Sequence, residues 1–327
     1  MRYTFKTQSA ALAVLTLIGM GGLCADSSTK PVPTKRKAAQ KECAYGTKCN
    51  CAPNRSTNFW VSGDLLIWSA NIGGLSSQYG DATINTTIVN SRPTTAIIES
   101  NQDIDFTWRP GVRIGAGFDW PCSGWETGAY WTHFHAKGSA HEHANSASSW
   151  LHFNVADALI GRKFWVGSCV SLKPFTGVRY AQIKQGLRTH LETEIIAATG
   201  SSVVVSTLRD KEKLWAFGPE LGLEAVFCMG HKWSVYGNLG GAILYGHTTT
   251  TFNTLDAFAL ADNSCVATTH DDAVQWAVDM GLGLRWNISF LTLQAGLENH
   301  TYFDYNELGC SGDLNLYGAN FSATIHF

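Results

Sequence analysis

The sequence predicts an all-β protein: a transmembrane, antiparallel, up-and-down β-barrel of about ten strands, and of about twelve at most. Three observations predict this fold. Apolar residues alternate with polar or small ones along many segments, the chain begins with a secretory signal, and its last strand ends in an aromatic residue. Charged residues are only 15 % of the chain and the mean hydropathy is −0.06, as expected for such alternation. After residue 25 no run of about 20 apolar residues occurs, which excludes a helical membrane protein.

Residues 1–25 are predicted to be a secretory signal peptide. Arg2 and Lys6 form a basic start, residues 10–23 are apolar, and Ala25 is a suitable last residue before cleavage. The alternative is a membrane anchor. It is disfavoured because the apolar stretch is short and no stop-transfer pattern follows it.

Residues 26–56 are predicted to be a periplasmic tether that is basic, contains cysteines and lacks regular structure. The segment 26–55 has seven basic residues against two acidic ones, and Pro31 and Pro33 disfavour regular structure. The rest of the chain, 56–327, has 15 basic and 24 acidic residues. This change of sign indicates two regions with different surroundings, and the barrel is assigned to 57–327.

Residues 105–120 show the alternation most clearly. Every even-numbered residue is apolar, as Phe106 and Trp108 are, whereas no odd-numbered residue is a large apolar one. A helix would not sort residues in this way, but a strand in a barrel wall would, with the apolar set in lipid and the other set inside. The alternative of a soluble β-sandwich would need fewer and shorter apolar strands.

The alternation and its interruptions define the topology. Long connections are typical of the extracellular side of such barrels and short turns of the periplasmic side, so an even strand number leaves both termini in the periplasm. The long connection 184–212 contains the strand-like run Val203–Val205, which leaves twelve strands open. The ten predicted strands are 58–69, 104–120, 124–137, 150–165, 169–183, 213–228, 231–246, 273–288, 290–301 and 313–327.

The last strand carries the sharpest single signal. Its apolar face ends at the final residue and resembles the signal recognised by the outer-membrane assembly machinery. All twelve tryptophans lie in the predicted strands or at their ends, as in the aromatic girdles of outer-membrane barrels. We therefore expect a bacterial outer-membrane protein whose partners are lipid and the assembly machinery, with no nucleic-acid partner. The assembly signal comprises Tyr317, Phe321, Ile325 and Phe327.

Six segments, taken in order, resemble the pore-forming outer-membrane proteins of Legionella and the MOMP-like proteins of chlamydia-related bacteria such as Waddlia and Simkania. The resemblance spans about 58–327. It implies a porin-type role, with a narrow diffusion pore for ions and small solutes, and it implies no catalytic residue, so no enzyme, cofactor or metal is predicted. The segments are 61–68, 108–115, 131–135, 161–167, 173–179 and 218–223.

Charged residues of both signs have the inward parity. Such charges either hydrate a channel or pair and fill it, and a barrel of about ten strands lies between a filled barrel and an open channel. The alternative to a pore is therefore a structural or adhesive surface barrel with a filled lumen. The net acidity of the barrel indicates cation preference. The candidate pore-lining residues are Arg109, Arg113, Lys173, Arg179, Glu220, Glu224, Asp279, Arg285 and Glu298.

Eight cysteines remain after cleavage of the signal peptide. Most of them fall at the periplasmic rim, which is an oxidising compartment. We expect disulfides there, within the chain or, as the chlamydial resemblance implies, to neighbouring envelope proteins. A zinc site at Cys49 and Cys51 is disfavoured by their short spacing. The candidates are Cys43, Cys49 and Cys51 in the tether, Cys122, Cys169 and Cys228 at turns, and Cys265 and Cys310 in outer loops.

Other sites are weaker alternatives. The tripeptide His270–Asp272 lies at an outer rim, where omptin-like proteases use Asp and His, but one tripeptide is a weak match. The pairs His133 with His135 and His141 with His143 have a spacing that suits a metal, although such exposed histidines are usually just solvated. A homo-oligomer is left open.

Overall fold

The computed structural model describes most of the chain from residue 59 onward. The predicted signal peptide 1–25 and tether 26–56 lie outside the described residues. Among the residues that are described, no helix is long and apolar enough to cross a membrane. The described ranges are 59–73, 81–89, 92–100, 104–120, 123–142, 145–167, 169–197, 200–230, 232–258, 261–307 and 310–327.

Fourteen strands occur in these described ranges. The alternation of apolar with small or polar residues favours extended backbone, which explains why nearly all of this part of the chain is strand. In chain order they are β1 (Phe59–Ile72), β2 (Asp81–Val89), β3 (Arg92–Ser100), β4 (Asp105–Phe106), β5 (Arg109–Asp119), β6 (Trp125–Glu142), β7 (Asn145–Arg162), β8 (Phe164–Val166), β9 (Val170–Ala197), β10 (Gly200–Gly230), β11 (Trp233–Phe258), β12 (Ala261–Ile288), β13 (Leu291–Glu307) and β14 (Cys310–His326).

Ten of these strands close into one antiparallel barrel. Each long strand pairs with the next one along the chain, and β1 pairs with both β5 and β14, so the sheet has no free edge. In the closing pair, Ile67 lies opposite Ala319. The short β4 pairs with β6, β8 pairs with β9, and β2 and β3 form a separate two-stranded sheet. The predicted all-β transmembrane barrel is therefore confirmed.

The outer wall is apolar, as the alternation predicts. Large side chains such as Leu221 and Leu297 are each 68 % exposed, whereas the inward-facing Leu66 is 0 % exposed. A soluble protein would expose few side chains of this size in rows, so the β-sandwich alternative does not fit.

The two ends of the barrel differ. At one end, here called the turn end, short turns join the strands, with positive φ angles of 94° at Gly230 and 71° at Lys232. The start of β1 and the end of β14 meet at the turn end, where the Phe327 amide donates to the Phe59 carbonyl at 2.8 Å. Barrels of this class place short turns and termini in the periplasm. The opposite end is called the loop end.

Several strands extend much further toward the loop end than the sequence predicted. Strands β9 and β10 pair from Phe227 with Val170 to Gly200 with Ala197. The connection predicted at 184–212 is therefore a continuation of this hairpin and adds no further strands, so the barrel has ten. Its β-branched run Val203–Val205 suits a strand, but beyond the membrane the apolar alternation that marks a barrel wall is no longer required.

Candidate functional site in the barrel interior

The barrel interior contains a layer of buried charges. Arg179 on β9 is its most heavily paired member, because its guanidinium contacts three carboxylates. The Nε atom donates to Asp157 at 2.7 Å, and the two terminal nitrogens lie 2.9 Å from Glu220 and 2.5 Å from Asp279. Strands β7, β10 and β12 supply these acids, so this cluster crosses the lumen.

A second cluster lies against the first. Arg113 on β5 is 3.1 Å from Glu298 and 3.6 Å from Asp64. The His300 ring lies 2.6 Å from Asp279 and 3.8 Å from Glu298, and so joins the two clusters.

A third cluster lies nearer the turn end. Lys173 is 3.1 Å from Glu126 and 2.8 Å from Glu224, and Arg285 donates to the same Glu224 at 2.8 Å. These bases and acids alternate around the lumen, so each carboxylate in this cluster has a cationic neighbour. Burying charges is costly unless they are paired in this way.

Eight of the nine residues predicted to line a pore lie in these clusters. Arg109 is the exception, because it is exposed at the first residue of β5, opposite Trp68. Asp64, Glu126, Asp157 and His300 also lie in these clusters but were not predicted from the sequence. Each has the inward parity of its predicted strand, so parity could have identified them.

An apolar layer fills the lumen on the loop-end side of these charges. Along β1, Asp64 is followed inward by Leu66 and Trp68, and along β9, Arg179 is followed by Ala181 and Ile183. This layer was not predicted from the sequence. Its signal is a continuous apolar run such as 65–68, which indicates burial on both faces of a strand. Members that are 0 % exposed are Leu66, Trp68, Phe134, Leu151, Ile183, Leu244, Leu314 and Leu316.

The apolar and charged layers are joined by a hydrogen bond. The Trp68 indole Nε1 donates to Glu298 at 2.9 Å, and its ring packs against Phe134 with 5.4 Å between centroids. Trp68 therefore satisfies a buried carboxylate with its polar atom and contributes its ring to the apolar layer.

Inward glycines are covered by aromatic rings. Gly222 lies opposite Phe175 and Gly283 opposite Tyr236, and a Cβ at Gly283 would lie 2.8 Å from the Tyr236 ring. At these positions the space is occupied by the ring of the opposite residue, an arrangement known to stabilise glycine in sheets.

A cavity of about 520 Å³ extends from the turn end through the charged clusters and reaches Trp68 of the apolar layer. Its lining includes hydroxyl and amide side chains near the turn end, such as Ser171, Asn287 and Thr292, together with the charged clusters. The lumen therefore has a hydratable half and an apolar half.

The other predicted sites do not converge into a centre. His133 pairs with Asn154 at 2.7 Å, and the half-buried His247 contacts the exposed Asp272 at 3.1 Å. The side chains of His141 and His143 lie outside the described residues. Within the described part of the chain, no group of three or more His, Cys, Asp or Glu side chains could hold a metal ion.

Two predicted turn cysteines are adjacent. The Cys228 amide donates to the Cys169 carbonyl at 2.7 Å, and the Cys228 side chain is buried. The other candidates are not described as side chains: Cys43, Cys49, Cys51, Cys122, Cys265 and Cys310.

One family model accounts for most of the chain. The family described as Legionella pneumophila major outer membrane protein precursor matches residues 51–324. The chain belongs to this family. The predicted resemblance and the bacterial outer-membrane location are thereby confirmed. No curated protein matches the chain.

Two solved outer-membrane proteins are similar to the chain at low identity. The outer membrane protease OmpT of Escherichia coli is 10 % identical, with a TM-score of 0.48, and the match covers 83 % of this chain and 97 % of that one. Ail of Yersinia pestis, in complex with the heparin analogue sucrose octasulfate, is 9 % identical, with a TM-score of 0.27 and coverage of 84 % and 100 %.

Proposed function

We propose that this family member is a structural outer-membrane barrel whose lumen is filled and which conducts no ions in the conformation described. The observation that carries the proposal is the apolar layer at the loop end, in which Leu66, Trp68 and Leu151 are each 0 % exposed. An apolar constriction excludes water and blocks ions by dewetting. The apolar layer is therefore a packed core that closes the loop-end half of the lumen.

A porin is the second candidate, and the cavity of about 520 Å³ lined by the charged clusters favours it. This cavity provides half of a hydrated path. Conduction would require the apolar layer to move aside, after which the acidic excess in the lumen would favour cations.

We also propose that the protein has no catalytic centre and that its cysteines are part of the envelope structure. His247 and Asp272 form a pair at the loop end, and the neighbouring His270 ring stacks on His247 and contacts Thr249. Cys169 is disulfide-bonded to a cysteine other than Cys228, which supports a cross-link at the turn end. Lipid and the assembly machinery are the expected partners. Phe327, which is 57 % exposed on the outer face, is available to the machinery.

Planar-bilayer conductance of the purified, folded protein tests the choice between filled barrel and porin. We expect no discrete current steps from the native protein, with or without reductant. The variant Trp68→Ala/Phe134→Ala removes two rings from the apolar layer and should produce current steps. These steps would show that the assay detects an open lumen, so the absence of current from the native protein can be interpreted. The control Leu65→Ala changes an outward residue and should remain silent. Reproducible steps from the native protein would establish the porin, and steps only after reduction would mean that cysteines gate it.

A further inference from the structure

An unbalanced group of bases lies on the outer face of β9 and β10 near the loop end. Five residues form this basic sector: Lys184 and Arg188 on β9, and Arg209, Lys211 and Lys213 on β10. All are exposed except Lys184, which is half-buried. The acids between them in sequence, Asp210 and Glu212, point inward and are buried. The basic sector therefore presents positive charge alone to the surroundings of the barrel.

Like charges face each other across the two strands. Lys184 lies directly opposite Lys213, and Arg188 lies directly opposite Arg209. Such residues have Cβ atoms about 5 Å apart, and like charges in this position destabilise a sheet. None of these four bases has an acidic partner among the described side chains. The arrangement is thus unfavourable unless an anion from outside the chain lies between the bases.

Among the described residues, the flanking strands present no acid opposite these bases either. On β11, Thr249 lies opposite Lys213 and Thr251 opposite Lys211. On β7, His152 lies opposite Lys184. By contrast, the exposed residues at the loop end of β12 include Asp271 and Asp272. The positive charge is therefore densest on β9 and β10. Two further exposed bases at the loop end are Lys137 on β6 and Arg109 on β5.

The height of the basic sector places it at the edge of the membrane. On β7, Arg162 lies opposite Trp125 at the turn end. His152 lies ten residues away on the same strand and is opposite Lys184. Ten residues span about 34 Å of strand, or about 26 Å along the membrane normal for a tilt of about 40°. The apolar band of such barrels is about 25 Å tall. Lys184 and Lys213 therefore lie where the acyl chains end and the outer headgroups begin.

We propose that the basic sector binds the phosphate groups of a phosphorylated lipid in the outer leaflet. The phosphates would lie between Lys184 and Lys213 and between Arg188 and Arg209, because a shared anion relieves the repulsion in each pair. The acyl chains of that lipid would lie against the apolar wall directly below. The inference depends on the outer-membrane location, and it holds for a filled barrel or a pore.

Binding of lipid A to the folded full-length protein in detergent tests the proposal. The probe is lipid A with both phosphates, and the comparison is the same lipid after dephosphorylation. We expect the native protein to prefer the phosphorylated form. Each base near a membrane surface contributes about a fivefold change in affinity, so Lys184→Gln/Lys213→Gln should bind about thirtyfold more weakly. The control Arg162→Gln/Lys232→Gln removes two bases at the turn end and should bind as the native protein does.

Thermal unfolding in the same detergent gives an independent readout. Without lipid, Lys184→Gln/Lys213→Gln should be at least as stable as the native protein, because a repulsive pair is gone. With phosphorylated lipid, the native protein should gain more stability than the variant. Equal binding of both lipid forms, or equal binding by the native protein and the variant, would overturn the proposal. Complete displacement of lipid by a soluble sulfated oligosaccharide at equal phosphate and sulfate concentration would assign the sector to external glycans instead.

Discussion

Arg179 and Arg109 were both predicted to line a pore, yet the structure gives them opposite surroundings. The Arg179 side chain is only 6 % exposed and contacts Asp157, Glu220 and Asp279 within 2.9 Å. Arg109 is exposed. Replacing each arginine by glutamine therefore separates a charge that holds the interior together from a charge that is merely solvated.

The expected loss follows from the carboxylates that Arg179→Gln leaves behind. Removing one partner of a buried ion pair costs about 3–5 kcal/mol, because the remaining charge is neither solvated nor paired. His300 still contacts Asp279 at 2.6 Å, so Asp279 keeps one partner in the variant. We therefore expect a loss of stability near the lower end of this range for Asp279 and the full loss for Glu220 and Asp157. Exposed substitutions usually change stability by less than about 0.5 kcal/mol, which is the expectation for Arg109→Gln.

Urea unfolding of the protein in lipid vesicles, followed by tryptophan fluorescence, measures both free energies of unfolding. A second variant, Arg179→Gln/Glu220→Gln, should recover part of the loss, because it removes one of the unpaired carboxylates. The reasoning is refuted if Arg179→Gln costs less than about 1 kcal/mol, or if the two arginine variants are equally stable. Either result would mean that water reaches the buried cluster freely, as it would in an open pore.

Three further predictions concern packing and assembly. Leu66→Ala should lower the free energy of unfolding by about 2–5 kcal/mol, because Leu66 is in the apolar layer. Leu65→Ala on the lipid face should lower it by less than about 1 kcal/mol. Urea unfolding in vesicles measures both values. Gly222→Ala should destabilise the protein by about 1–3 kcal/mol, because its Cβ would overlap an aromatic ring. Gly63 has no atom within 4 Å of an added Cβ and should tolerate alanine. Equal losses of stability in the two variants would contradict the ring packing. Phe327→Ala should reduce the fraction of expressed protein that reaches the outer membrane, measured by fractionation against total protein; an unchanged fraction would show that the final aromatic is dispensable.

Strict parity allowed the barrel wall to be predicted from the sequence. In residues such as Val112 and Arg113, the choice between lipid and lumen depends only on odd or even position, because successive side chains of a strand point to opposite faces. The loop-end extensions could not be predicted in this way. Runs such as 248–251, which consists of threonines, favour a strand by their β-branching but carry no apolar alternation.

Ion-pair partners in the lumen could not be predicted, since they depend on how the sheet closes. Arg113 and Glu298 are 185 positions apart in the chain, and they meet because β1 and β14 pair and bring β5 near β13. The sequence named both residues but could not give their distance. Whether such charges pair or hydrate a channel is decided by this closure and by barrel size.

The apolar layer has the strongest bearing on function. It is built from runs that are apolar on both faces of a strand, which are hard to recognise beside the alternation of the barrel wall. A wall in contact with lipid on one side and water on the other needs apolar residues on one face only. Along β1 the run Leu65–Trp68 is apolar on both faces, and the inward members Leu66 and Trp68 are fully buried. Such a run has no advantage in a water-filled channel, where inward apolar side chains would stay exposed. It is favourable when the interior packs as a core, which is the physical reason for preferring a filled barrel over a diffusion pore.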